Sequence, residues 1–169
     1  MVLTEFWSSP ADMKDDAAPI YPGAGASMAE LVALAEAYRR TAEGLLALER
    51  SPMRPAHAPA RLCALQAIEL YLGAFLRIAG HAPEDVRGHL HDLGSMAVAV
   101  ADSGLKLRRR TIEHLVAMND RREYLVVRYG PEQCHEFTAS NRLEATLREV
   151  AVKVERQVAK GPGTTALMK

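Results

Sequence analysis

From Ser27 onward, apolar and polar positions alternate with a helical period. "SMAE" can close a capping box: the Ser27 hydroxyl accepts from the third helical amide while Glu30 reaches back to the cap amide. Leu31, Ala35, Tyr38, Ala42 and Leu45 then recur on one face, leaving Glu36, Arg39, Arg40 and Glu43 outside, until "SPMRP" ends the helix. A second and most apolar helix is predicted from about Ala58 to Ala79, with Leu65, Ile68, Leu72 and Phe75 on one stripe and Gly80 at its left-handed stop. Pro83 with its acidic neighbours opens a third stretch that breaks at Gly88 and resumes as a helix from about Leu90 to Asp102. A fourth helix covers about Lys106 to Val127 and is stopped by "YGP". A fifth covers about Ser140 to Ala159, with Leu143, Leu147, Val150, Val154 and Val158 in one stripe.

Short links between such helices predict an all-α fold, an antiparallel up-and-down bundle of about five helices over residues 27–160. Residues 1–26 hold three prolines and no helical period, and read as a flexible arm or tail. Residues 161–169, "GPGTTALMK", read as a disordered tail. Composition agrees with helices. Aromatic residues are only 5% of the 169, while Ala, Leu, Val, Arg and Glu dominate.

Charge alters the picture locally. Basic and acidic residues balance at 21 each, which gives no whole-molecule attraction to nucleic acid or membranes. Yet residues 106–128 carry seven Lys or Arg against three Asp or Glu. No leader pattern and no long uncharged apolar run is visible, so a cytoplasmic protein without membrane attachment is expected. Cys63 and Cys134 lack paired spacing and are expected as free thiols.

On a wheel continued through the fourth helix, Asn119, Arg122, Val126 and Tyr129 fall with Leu115 in a sector of roughly 80°. Polar groups there imply either a hydrogen-bonded core network or a site. Arg110, His114, Arg121 and Arg128 gather on the opposite side as a basic stripe. Such a stripe is either a solvated face or a phosphate-binding surface, since the guanidinium fork matches phosphate oxygens.

"AIELYLGAFLRIAGHAPEDVRGHLHDLGSM" together with "MNDRREYLVVRYGPEQCHEFTASNRLEATLREVAVKVERQV" resembles the HEPN family, the higher eukaryotes and prokaryotes nucleotide-binding domains. The likeness spans residues 27 to about 160 and is most specific in "HDL" and "RYG". It implies an α-helical bundle, a homodimer, and a role as a ribonuclease, a nucleotide or RNA binder, or the partner of a nucleotidyltransferase. Ribonucleases of the family carry an arginine, then four to six residues, then a histidine, often with a tyrosine two residues on. Matching Tyr129 to the tyrosine and Arg122 to the arginine puts Val127 at the histidine place. Valine moves no proton, so this pattern implies binding without catalysis.

Two other pairs satisfy the spacing, Arg109 with His114 and Arg128 with His135; the second supports the alternative of a metal-independent ribonuclease. A further alternative is an interaction protein whose basic stripe meets an acidic partner. His91 and Asp92 are expected as cap and packing residues. No P-loop or nucleophile elbow occurs, and neither metal nor cofactor is expected. The expected function is therefore nucleotide or RNA-phosphate binding, or partner binding, through Arg110, Asn119, Arg121, Arg122, Arg128 and Tyr129.

Overall fold

The computed structural model describes residues 21–48 and 57–161, and everything regular among them is helical. The elements are α1 (Met28–Leu48), α2 (Ala58–Ile78), α3 (Pro83–Gly88), α4 (Leu93–Asp102), α5 (Arg109–Asp120), α6 (Glu123–Tyr129), a 3-10 segment (Pro131–Glu136) and α7 (Ser140–Lys160). The all-α class is as expected.

The capping box forms: the Ser27 amide donates to Glu30 Oε2 at 2.8 Å, and the Glu30 amide donates to Ser27 Oγ at 3.2 Å. The stop of α2 is also as read. His81 N donates to the Leu76 carbonyl at 3.0 Å and Gly80 N to that of Arg77 at 3.2 Å, the paired bonds of a Schellman turn. Gly80 takes φ +98°, where a Cβ would cost energy. Between these ends α2 buries far more than one stripe, because α1, α4, α6 and α7 all pack on it. Ile68, Leu72 and Leu76 are fully buried, each contributing about 1.5–3 kcal/mol of apolar transfer. In α7, Leu143, Leu147, Val150 and Val154 face the core as their spacing predicts.

Two predicted helices differ from expectation, and backbone sign explains both. The third was to start near Leu90, but Leu90 and His91 take positive φ (46° and 68°), so α4 begins at Leu93. Asp92 is its N-cap, accepting from Ser95 N at 2.8 Å. The fourth was read as one helix. It is two, α5 and α6, because Arg122 takes φ +52° and interrupts the ladder. Without a left-handed residue at 122, the wheel drawn through Leu115 would have continued to Tyr129; with it, α6 turns onto a new axis.

Of the arm predicted over residues 1–26, only Tyr21 onward is described, and this part packs. The Arg87 guanidinium lies 4.7 Å over the Tyr21 ring, and Arg77 Nη2 reaches the Ala24 carbonyl at 3.5 Å. Phe6 and Trp7, and the tail from 162, lie outside the described residues. No helix among the described residues is long and apolar enough to cross a membrane.

Candidate functional site

The joint between α5 and α6 holds a buried polar network that spans several elements. Inside it, Glu123 at the first turn of α6 is buried and receives Arg61 Nη1 of α2 at 2.6 Å. Glu123 Oε1 also accepts from Thr138 N at 2.9 Å, and Arg61 Nη2 donates to the Thr138 carbonyl. The Arg61 guanidinium lies 4.6 Å over the Phe137 ring. Thr138 Oγ1 continues the chain to His114 Nε2 at 2.8 Å, and His114 Nδ1 meets Thr146 Oγ1 of α7 at 2.7 Å. Four elements are thus pinned by one network. Burying a charge pair is tolerable only with such partners, and among the described residues Arg61 Nε is the buried side-chain atom that lacks one.

His114 was placed on the basic stripe from sequence. It is instead 1% exposed, because α5 buries Thr111, His114, Leu115 and Met118 as one broad face. Burial first, then the charges of Arg142, Arg61 and Arg121, push its pKa down to about 4, so the ring is neutral near pH 7.

Outside the joint the arrangement is reversed. Arg122 was drawn on the core face with Asn119 and Tyr129, yet Arg122 is exposed and its side chain makes no hydrogen bond or ion pair among the described residues. Tyr129 is 76% exposed. Asn119 is half-buried and turned toward α4, its Nδ2 lying 3.6 Å from where a Cβ on Gly94 would stand. The left-handed residue accounts for the difference. It carries the α6 face bearing Arg122, Leu125 and Tyr129 out to solvent, with Arg128 beside it. Arg121, also exposed, donates Nη1 to the Glu136 carbonyl at 2.9 Å and keeps its other donors open. Arg121, Arg122, Arg128 and Tyr129 are therefore all exposed along the stretch that turns the α5–α6 corner, and Asn119 is not. Arg110 stands about 16 Å away along α5 by helix rise.

Neither alternative nuclease pair is assembled. Arg109 is ion-paired to Glu113 at 2.8 Å while His114 faces the core. His135 Nδ1 bonds the Glu132 carbonyl at 2.9 Å, and Arg128 lies 3.8 Å over the Tyr124 ring.

The chain matches no protein-family model, no curated protein and no solved structure.

One further polar cluster borders the corner. His91 Nδ1 meets Glu69 at 2.8 Å, its Nε2 lies 2.7 Å from the Tyr124 hydroxyl, and its ring stacks on Tyr124 with centroids 3.9 Å apart. Glu69 can only accept, so Nδ1 carries the proton and Nε2 accepts from Tyr124. Burial raises the Tyr124 pKa, Arg128 opposes this, and the Glu69 charge adds to it. His91 was expected to pack, which it does; Glu69 and Tyr124 went unread. So did Arg61, although an arginine in the first turn of the most apolar helix was a visible signal that an acid could meet it.

Proposed function

We propose that this protein binds the phosphates of single-stranded RNA or of a nucleotide at the α5–α6 corner, without cutting them. The observation that carries this reading is the left-handed Arg122, which holds an unpartnered guanidinium in solvent beside Arg121, Arg128 and the exposed Tyr129 ring. A non-glycine residue at positive φ costs about 1–2 kcal/mol, and such strain concentrates where a side chain has a task. Arginine forks suit phosphate oxygens, and an open phenol ring accepts a stacked base.

Chemistry already described supports binding without cleavage. Val127 is buried and apolar, His114 is enclosed, and His135 is held by its own turn.

Titrating an RNA of about ten nucleotides at several salt concentrations tests the reading, since each neutralised phosphate on a single strand contributes roughly −0.7 to the slope of log affinity against log salt. Three arginines give about −2, and Arg122→Ala with Arg128→Ala should bring this near −0.7. The RNA should be recovered intact. Binding that ignores salt and both substitutions would remove the proposal, and RNA cut by clean protein but not by the His135→Ala variant would replace it with the nuclease alternative.

A further inference from the structure

We propose a second site, distinct from the arginine corner: the groove where α1, α2 and α3 meet binds a medium-length amphipathic carboxylate. Its cavity of about 360 Å³ is lined by Leu31, Leu34, Leu70, Ala74, Val86 and Met96. Among the described residues Leu34 remains 49% exposed, which places apolar surface at the mouth of the groove. A dry 150 Å³ cavity accommodates benzene, which makes the groove large enough for a ligand of roughly twice that size, on the order of 12 heavy atoms.

What the ligand carries at its head follows from the rim. Arg77 and Arg87 both line the groove. Arg77 spends one donor on a long 3.5 Å bond to the Ala24 carbonyl, and Arg87 only rests on the Tyr21 ring, so both forks keep open donors. Two acids share the lining, but Glu69 is held by His91, which leaves Glu84 as the one carboxylate facing two guanidiniums. His91 commits both ring nitrogens, to Glu69 and Tyr124, and Glu69 keeps its negative charge about 12 Å from Arg77 by helix rise, so the arginines mark the positive end of the groove. An anionic head is therefore read at the arginine end while an alkyl or aryl body lies on the leucines. A carboxylate suits the planar fork, and a body of about ten carbons fills the space.

Calorimetric titration of the full chain with decanoate, decanol and decylammonium, each below its aggregation concentration, tests the proposal without any variant. Decanoate should bind saturably at one site, about ten-fold or more tighter than decanol, and decylammonium weakest. Replacing Arg77 and Arg87 together by alanine should lower decanoate to the level of decanol and leave decanol unchanged. Leu34→Glu, at a half-exposed position, should abolish both. RNA binding at the corner should be unaffected by either change. No saturable binding of decanoate, equal affinity for decanol, tighter binding of decylammonium, or binding that survives Leu34→Glu would each overturn the assignment.

Discussion

Arg61 and Arg122 are the same residue type on opposite sides of one helix joint, and they are treated in opposite ways. Arg61 is 2% exposed and has Glu123, Thr138 and the Phe137 ring around it. Arg122 is exposed, has no polar side-chain partner among the described residues and sits on left-handed backbone. The first guanidinium is structure, because a buried charge must be met on the spot. The second is free to meet something else. What separates them is not sequence neighbourhood, since Arg122 adjoins the very acid that Arg61 pairs with, but the turn of the chain at one left-handed residue.

The largest effect should come from breaking the buried side. Glu123→Ala strands the Arg61 charge and should cost about 3–5 kcal/mol, read by urea or thermal unfolding. RNA binding by the remaining folded protein should be spared if the two sides are as separate as they look. A loss below about 1 kcal/mol would mean that the pair is solvated and the contrast false.

Next in size is the pH response of the same network. The folded pKa of His114 lies near 4, below the ordinary 6.5, so the unfolded chain binds more protons between these values. Stability is fully present above pH 6.5 and falls with pH, by about 2–3 kcal/mol at pH 4.5. Glu36, held down to about 2 chiefly by the hydrogen bond from Arg39, begins to add its own loss only below about 4.5. Unfolding curves at pH 7 and 5.5, above the range where Glu30, Glu36 and Glu149 take up protons, isolate His114, and His114→Gln should flatten the difference.

Asp92 is an intermediate case, half-buried and bonded only to its own helix end. Asp92→Ala should cost about 1 kcal/mol, the ordinary value of an N-cap, by thermal melting. The smallest effect belongs to the exposed arginine: Arg122→Ala should move stability by no more than about 0.5 kcal/mol while weakening RNA. A melting loss as large as that of Glu123→Ala would return Arg122 to the core, where the helical wheel had placed it.

That wheel failed for a physical reason. Ser27 with Glu30, Gly80, and the Leu143–Val154 stripe were legible because caps and periodicity are local: the partners lie three or four residues apart and the backbone is regular. The break at Arg122 carries no glycine or proline to announce it, and one residue of positive φ redirects every side chain after it. The corner residues Arg121, Arg122, Arg128 and Tyr129 were chosen on a wheel drawn through that break, and two of them, Arg122 and Tyr129, were placed on the wrong face. Arg61 was missed because its carboxylate stands 62 residues further on, beyond the reach of any periodic pattern.

The same separation has a consequence for the order in which the chain is made. Arg61 leaves the ribosome 62 residues ahead of Glu123 and 77 ahead of Thr138. Until those arrive, α2 carries a guanidinium without the partners that bury it, and in the complete chain too the pair must close a 62-residue loop, so it forms late. Contacts that form after the rate-limiting step change the speed of unfolding and leave the speed of folding nearly untouched. Glu123→Ala should then shorten the lifetime of the native protein while refolding proceeds at close to its original rate, making this buried pair a latch on the finished fold rather than a guide toward it.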